Sequence, residues 1–334
     1  MDKKSTHELL LKESLDKLRE KISAHYREIL FQFIKCYRSA LKSHFHEAIP
    51  NLLLFLELVE DQMRTPFEFE PYHKKIRHPI DYYRFSLDFI RPLIEIDASR
   101  IIGIEHLDTI AQKIKQKENV ILLANHQTEA DSQAIAILLE KTHPEIAENI
   151  IYVAGGRVIT DPLAIPFSMG CDLLCIYSRR HIDHPPEFKA QKQLHNRHTM
   201  ERMSRLLTSG GRIIYVAPSG GRDRKNRQGL IEVAPFEADS IEMFYLMAKK
   251  AKTPTHFVPF ALSTYELMPP PEGIQKELGE MRTAQKTAVS LSFAAPCDME
   301  HFPGFDKKDK IERRQARADY IWNIVNKMYK SISK

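Results

Sequence analysis

Cysteine is scarce in this 334-residue sequence, which has only four cysteines in no ligand-like pattern. A disulfide framework or a structural zinc site needs cysteines that are dense or regularly spaced. Even the nearest pair falls in an apolar run that is typical of a strand. We therefore predict buried thiols, no metal and no cofactor; the four positions are Cys36, Cys171, Cys175 and Cys297.

Long apolar runs are also lacking. The longest candidate, from Leu52 to Val59, is interrupted by Glu57 and is far shorter than the roughly 18 residues of a membrane-spanning helix. The amino terminus, Met-Asp-Lys-Lys-Ser-Thr, has neither the apolar core of a secretory signal nor the composition of a transit segment. We expect a soluble protein in a reducing compartment, the bacterial cytoplasm or, if a transit segment has been removed, the plastid stroma.

Acidic residues are scarce between residues 179 and 227, where arginine and lysine dominate. The positive excess of this segment exceeds the net charge of +5 carried by the whole chain. Such an imbalance indicates an anionic partner, which could be a phosphorylated small molecule, an acidic protein, an anionic membrane surface or nucleic acid.

Glycine is absent from residues 1 to about 64, and Pro50 is the only proline there. Apolar residues recur in this stretch at helical spacing, which predicts a small antiparallel helical bundle over residues 1–75. From Ser99 onward, short β-rich runs alternate with helical stretches, and a last helix is expected from about Lys307. This alternation predicts a larger α/β domain over residues 76–334, with a mixed, largely parallel sheet flanked by helices. The predicted strands are Ile101–Ile104, Val120–Ala124, Ile150–Ala154, Leu173–Tyr177, Ile213–Ala217, Phe257–Leu262 and Val289–Phe293.

Polar residues gather where the strand Val120–Ala124 passes into a helix. His126 and Asp131 lie there, and α/β sheets bind their ligands outside the carboxyl ends of such strands. The pair is therefore a candidate general base with its orienting carboxylate. The same spacing recurs in His301 and Asp306, but that copy lies in a Pro-Gly turn without a basic partner segment and is predicted to be a loop.

Two further strand ends carry cations. After Ile213–Ala217 the turn Ser219-Gly220-Gly221 would let backbone amides approach a ligand, and Arg222 and Arg224 follow it. Arginine suits phosphate because its planar fork donates two parallel hydrogen bonds. Ser219 lacks the Gly-x-Ser-x-Gly context of a nucleophile, so we assign it to the supporting turn.

Arg180 and His181 follow the strand predicted at Leu173–Tyr177. They would join the same pocket if the strand ends open on one edge of the sheet. The alternative, a solvated basic turn, stays open.

Together these segments resemble a known family. Asn125-His126 with Asp131 resembles the first motif of the glycerolipid acyltransferases, and Ala217-Pro218-Ser219-Gly220-Gly221-Arg222 occupies the place of their Phe-Pro-Glu-Gly-Thr-Arg motif. The complete strings Asn-His-Gln-Thr-Glu-Ala-Asp and Ala-Pro-Ser-Gly-Gly-Arg-Asp-Arg are similar to the soluble glycerol-3-phosphate acyltransferases of plastids and certain bacteria. Ser219 departs from the membrane-bound branch, which has glutamate at that position.

The resemblance implies an acyl transfer to the sn-1 hydroxyl of glycerol 3-phosphate, giving lysophosphatidic acid without a covalent enzyme intermediate. The donor would be an acyl carrier protein thioester or an acyl-CoA. His126 would act as the general base and Asp131 would orient it. The resemblance places the acceptor phosphate on Arg180, His181, Arg222 and Arg224.

Alternatives remain at this point. A lysophospholipid acyltransferase would use the same base and a related acceptor. A nucleic-acid-binding protein is less favoured, because aromatic residues are not interleaved with the basic segment and no nucleic-acid motif is present. Peripheral association with an anionic membrane is compatible with either acyltransferase.

Overall fold

The computed structural model describes residues 3–178, 182–183, 185–273 and 278–333. Three helices open the chain: α1 (Lys3–Lys21), α2 (Ala24–Leu41) and α3 (Phe45–Arg64). The side chain of Ser23 accepts a hydrogen bond from the Tyr26 amide and so caps α2. Pro50 lies inside α3, and the turn that precedes it is helical and buries Phe45, Ala48 and Ile49.

Eight further helices follow along the described chain. They are α4 (Tyr82–Ile90), α5 (Ile104–Lys115), α6 (Asp131–Leu139), α7 (Pro144–Asn149), α8 (Ile165–Ser168), α9 (Lys189–Ser209), α10 (Ala238–Ala251) and α11 (Lys310–Ile332). Short 3₁₀ turns lie at Lys42–His44, Arg91–Leu93, Ile96–Ala98, Gly156–Ile159, Pro186–Phe188 and Tyr265–Leu267. None of the helices in the described ranges is long and apolar enough to cross a membrane.

The predicted strands are confirmed, with ends shifted by a few residues, and three short strands were not foreseen. The strands are β1 (Tyr72–His73), β2 (Arg100–Ile102), β3 (Asn119–Ala124), β4 (Ile150–Gly155), β5 (Asp172–Ile176), β6 (Ile213–Val216), β7 (Arg224–Lys225), β8 (Ile231–Glu232), β9 (Thr255–Ser263) and β10 (Ser290–Phe293). The unforeseen β1, β7 and β8 have two residues each, too few for a periodic pattern to be read.

Eight strands form one sheet in the order β1-β5-β4-β6-β3-β9-β10-β2. The five strands from β5 to β9 in this order run parallel. At the edges, β1 is antiparallel to β5 and β10 is antiparallel to β9, while β2 runs parallel to β10. The predicted mixed, largely parallel sheet is thus confirmed. Because parallel strands end at the same edge, the loops after β3, β4, β5, β6 and β9 converge there.

Both faces of the sheet are buried, as β3 illustrates. Its alternate residues Val120 and Leu122 pack into one apolar cluster, and Ile121 and Leu123 pack into another. The first cluster includes buried residues of α1 to α5, and the second includes buried residues of α9, α10 and α11. The amino-terminal helices therefore contribute to the first cluster, where the Tyr37 hydroxyl also donates a 2.7 Å hydrogen bond to the Phe89 carbonyl. The division at residue 75 into a bundle and an α/β domain stays a prediction.

Candidate functional site

The His126 imidazole and the Asp131 carboxylate face each other across the loop that joins β3 to α6. His126 Nδ1 donates to Asp131 Oδ2 at 2.7 Å. Because the carboxylate only accepts, Nδ1 carries the proton and Nε2 is the basic nitrogen. The His126 side chain is 32% exposed, and its Nε2 makes no hydrogen bond to a residue in the described part of the chain. This nitrogen is available to a proton on a ligand.

Asp131 is held on all sides. Besides the imidazole, its carboxylate accepts from the backbone amides of Gln127 and Thr128, at 2.9 and 3.2 Å, and from the Thr264 hydroxyl at 2.6 Å. Asp131 is also the first residue of α6, where the helix dipole favours a negative charge. With only 5% of its side chain exposed, the carboxylate cannot turn away from the imidazole.

Asn125 and Gln127 flank the histidine and clamp its loop to neighbouring strands. The Asn125 side chain exchanges hydrogen bonds with the backbone of Leu262 in β9, at 2.8 and 3.0 Å. Gln127 Oε1 accepts from the amides of Thr264 and Tyr265, at 2.7 and 3.0 Å. Sequence reasoning gave these two amides no chemical role, and their contacts explain them as positioning groups.

Asp223 joins this loop to the turn after β6. Its carboxylate is fully buried and accepts from Asn125 Nδ2 at 2.8 Å, from Gln127 Nε2 at 3.1 Å and from the Ala234 amide at 2.9 Å. Burial raises the pKa of Asp223 to about 6, although these hydrogen bonds act in the opposite direction.

The glycine-rich turn is closed by its own serine. The Ser219 hydroxyl donates to the Gly221 carbonyl at 2.9 Å, and Gly220 has a φ of 63°, in the left-handed region that glycine adopts readily. The hydroxyl is thus engaged within the turn that leads to Arg222.

Arg222 and Arg224 follow this turn, at the edge of the sheet where the loop with His126 also lies. Arg222 donates through Nη2 to both oxygens of Glu280, one of them at 2.7 Å, and Arg224 donates to the Pro271 carbonyl. Arg157, which follows β4, donates through Nη1 to the same Glu280 carboxylate at 2.9 Å. Burial lowers the pKa of Arg224, and the positive charge of Arg222 lowers it further. We call Arg157, Arg222 and Arg224, with Glu280, the arginine cluster.

A second ion network ties the histidine loop to the loop after β4. Arg282 binds Glu129 through Nε at 2.8 Å and Asp161 through Nη2 at 2.9 Å, and it donates through Nη1 to the Glu280 backbone carbonyl at 3.0 Å. Burial opposes ionisation of Glu129, but Arg282 and Arg222 outweigh it and hold the pKa of this carboxyl below its usual value. The network therefore connects the histidine loop to the arginine cluster.

Arg180 and His181, which sequence reasoning also assigned to the phosphate, lie outside the described residues. The end of the preceding strand is fixed: the Asn196 side chain exchanges hydrogen bonds of 2.9 Å with the backbone of Tyr177. The chance copy of the motif behaves as expected, because His301 pairs with Asp298 at 3.1 Å and lies in a turn.

No group of three or more His, Cys, Asp or Glu side chains suited to a metal ion occurs within the described ranges. The site instead combines one basic imidazole with several guanidinium groups, which suits proton abstraction near an anionic ligand.

Sequence reasoning missed Arg157, Asp223, Glu280 and Arg282. A signal existed for the first, because Gly155-Gly156-Arg157 repeats the pattern of Gly220-Gly221-Arg222 beyond a neighbouring strand. Asp223 lies between Arg222 and Arg224 in a string that the sequence motifs include, but its burial and its contacts are tertiary. Glu280 and Arg282 come from a separate segment, and no local pattern predicts their place in the site.

Known proteins are similar to this chain in sequence. The Acyltransferase family profile matches residues 105–263. A chloroplastic glycerol-3-phosphate acyltransferase of Spinacia oleracea is 39% identical over 312 residues, which cover 92% of this chain and 65% of that protein. One from Arabidopsis thaliana is 35% identical over 319 residues, covering 95% of this chain and 69% of that protein. One from Cucurbita moschata is 39% identical over 282 residues, with 84% and 63% covered.

The chain thus spans slightly under two thirds of the length of the spinach and Cucurbita relatives. A solved lysophosphatidic acid acyltransferase, PlsC of Thermotoga maritima, aligns with 85% of this chain and 98% of that chain at 17% identity, and its TM-score of 0.41 is too low to support a conclusion. The resemblance that the sequence motifs indicated is confirmed by the relatives. By these similarities the chain belongs to the family of the chloroplastic glycerol-3-phosphate acyltransferases.

Proposed function

We propose that this chain transfers a fatty acyl group from a thioester to the sn-1 hydroxyl of glycerol 3-phosphate, producing lysophosphatidic acid. The observation that carries the proposal is the open Nε2 of His126, whose Nδ1 is bound to the buried carboxylate of Asp131. A base beside a phosphate-binding group of arginines is the combination that a phosphorylated alcohol acceptor requires.

In the proposed reaction His126 Nε2 removes the proton of the acceptor hydroxyl while its oxygen attacks the thioester carbonyl. The carbon–sulfur bond then breaks, and the imidazolium returns the proton to the leaving thiolate. Asp131 stabilises the imidazolium and keeps the ring in the productive tautomer. No protein nucleophile takes part, which agrees with the engagement of the Ser219 hydroxyl inside its own turn.

The acceptor phosphate is assigned to Arg222 and Arg224, together with Arg180 and His181 from the segment that the described residues do not include. Arg222 uses Nη2 for Glu280, and no acceptor among the described residues takes its other N–H groups, which can donate to phosphate oxygens. The donor is assigned to an acyl carrier protein thioester, with an acyl-CoA as the second choice. The relatives carry chloroplastic in their names, so we assign the chain to the plastid stroma, with peripheral contact to anionic membrane as part of the proposal.

The test is an acylation assay on the purified chain. Labelled glycerol 3-phosphate is offered with acyl carrier protein thioesters and, separately, with acyl-CoA, and lysophosphatidic acid is the expected product. A parallel reaction offers lysophosphatidic acid as the acceptor. Acylation of that acceptor alone would replace the proposal by a lysophospholipid acyltransferase, and no product with either acceptor would overturn it.

A further inference from the structure

Arg157 and Arg222 occupy equivalent places in the fold. Each follows a Gly-Gly pair, which begins at the last residue of β4 for Arg157 and lies in the turn after β6 for Arg222. The two strands are parallel neighbours in the sheet, so their carboxyl ends lie side by side. Both arginines therefore emerge at the edge of the sheet where His126 lies.

The two guanidinium groups meet at one carboxylate. Glu280, with 4% of its side chain exposed, accepts from Arg157 Nη1 at 2.9 Å and from Arg222 Nη2 through both oxygens. One negative charge serves two positive ones, and Arg224 is close enough for both arginines to lower its pKa, after the larger effect of burial. The arginine cluster, with three guanidinium groups and one carboxylate, thus carries an excess of positive charge.

Arg157 also has unused binding capacity. Its Nη2 is buried and has no hydrogen-bond partner among the described residues, while the side chain as a whole is 28% exposed. Buried charged N–H groups without an acceptor are uncommon in folded proteins, so this one requires an explanation. Arg157 is therefore the most exposed member of the Glu280 ion pairs and is short of an acceptor.

An ordinary structural ion pair in the same chain looks different. Arg91 is 30% exposed and donates through both Nη atoms to the two oxygens of Glu140. Asp88 also lies 3.8 Å from its Nε, so the Arg91 cation faces two carboxylates and both of its Nη atoms are engaged. The contrast indicates that the Arg157 guanidinium is arranged for a ligand as well as for Glu280.

We propose that Arg157 is a further arginine that binds the phosphate of the acceptor, and that Glu280 is a positioning residue that orients Arg157 and Arg222 toward it. The identity of the acceptor rests on the proposed function above. The chemistry of the ligand, an oxyanion with more than one charge, rests on the arginine cluster itself.

The experiment compares wild type with Arg157→Gln, Arg157→Lys, Glu280→Gln and the matched control Arg91→Gln. Dissociation constants for glycerol 3-phosphate and for inorganic phosphate are measured by titration calorimetry, and turnover is measured with the acceptor varied at a fixed saturating thioester. Circular dichroism and the urea midpoint report on folding of each variant.

We expect Arg157→Gln to raise the dissociation constants of both anions by roughly 10- to 100-fold, the usual effect of losing a charge-assisted hydrogen bond. Its kcat should stay within a few-fold of wild type. The dissociation constants of Arg157→Lys should lie between those of wild type and Arg157→Gln, since lysine keeps the charge but lacks the planar guanidinium fork. Glu280→Gln should raise KM for the acceptor and leave KM for the thioester unchanged. Arg91→Gln should leave the dissociation constants of both anions and the KM for the acceptor unchanged.

Unchanged dissociation constants in Arg157→Gln would overturn the inference, even where wild type acylates glycerol 3-phosphate normally. Where Arg157→Gln does not fold, Arg157→Lys decides by the same comparison, and equal affinity to wild type counts against the inference. A wild type that binds glycerol 3-phosphate without acylating it would instead overturn the proposed function. The ratio of the dissociation constants of Arg157→Gln and wild type would still test the role of Arg157. Failure of wild type to bind either anion would sink both.

Discussion

The backbone amide of Asp223 donates a 2.7 Å hydrogen bond to the carbonyl of His126. Two segments that are almost a hundred residues apart in the chain are joined there: the loop that carries the proposed base and the turn that carries Arg222 and Arg224. The Asp223 carboxylate strengthens the joint by accepting from Asn125 and Gln127 on either side of the histidine. The base and the arginine cluster are therefore built as one unit.

The buried Asp223 should make stability depend on pH in an unusual direction. Its pKa in the folded protein is about 6, above the ordinary aspartate value, so ionisation costs more in the folded state than in the unfolded one. The stability contributed by this group is present below pH 4 and is lost as the pH rises through 6. A shift of this size corresponds to about 3 kcal/mol.

Urea unfolding of wild type and Asp223→Asn between pH 4 and pH 7 tests this expectation. The wild-type free energy of unfolding should fall relative to that of the variant across the interval, by an amount up to about 3 kcal/mol. All other titrating groups are shared by the two proteins and cancel in the difference. Parallel stability curves would contradict the assignment of a raised pKa to Asp223.

Replacing the proposed base should abolish most turnover and spare acceptor binding. A positioned general base contributes roughly 10² to 10⁴ in rate, so His126→Ala should lower kcat by at least about that factor. The described side chains of the arginine cluster make no hydrogen bond with the imidazole ring, so the dissociation constant for glycerol 3-phosphate should change little. Initial rates and calorimetric titration measure the two effects separately.

His301→Ala is the matched control, because His301 has the same spacing to a following aspartate but pairs with Asp298 in an exposed turn. Its kcat should equal that of wild type. A His126→Ala variant with near wild-type turnover would remove the imidazole from the mechanism.

The sequence predicted the parts of this site that depend on local pattern. The strand Val120–Ala124 is continuous and apolar, and the polar residues behind it could only lie at its carboxyl end, which is where His126 is found. The Gly-rich turn before Arg222 could also be predicted, because it follows an apolar strand directly. Glu280 was not, since it follows no strand and is placed by contacts with arginines from two other connections. A charged residue is buried only where it finds partners, and the sequence does not show which residues the fold brings close to it.

Thr264 should act on the reaction through Asp131. Its hydroxyl donates to Asp131 Oδ1 at 2.6 Å, and the loop after β9 brings it there. In Thr264→Val this donor is lost while the side-chain shape is kept, so the carboxylate is held by one group fewer. We expect kcat to fall by about tenfold, the effect of one hydrogen bond to a charged group, and KM for the acceptor to stay within twofold.

Thr264→Ser should restore most of the lost rate, because it returns the hydroxyl and lacks only a methyl group. This rescue separates a positioning role from a packing role. If Thr264→Ser and Thr264→Val were equally slow, the hydroxyl would have no part in positioning Asp131.

Arg282 should be the most costly ion-pair residue of the site to remove. Only 9% of its side chain is exposed, and it serves Glu129 and Asp161 together, two carboxylates from the loops after β3 and β4. Burial disfavours its charge, but the two carboxylates outweigh burial and raise the pKa of Arg282. In Arg282→Met the buried Asp161 and the partly buried Glu129 lose their shared cation, and breaking a buried pair in this way costs about 3–5 kcal/mol.

The free energy of unfolding from urea titration measures that loss. Arg64→Met provides the comparison, because Arg64 pairs with Asp61 on the exposed side of α3 and surface pairs contribute about 0–1 kcal/mol. The acceptor affinity of folded Arg282→Met should also fall, since Arg282 holds the backbone of Glu280 through its carbonyl. Equal stabilities of the two variants would show that the buried network is no stronger than a surface ion pair, and that the histidine loop does not depend on Arg282 for its position.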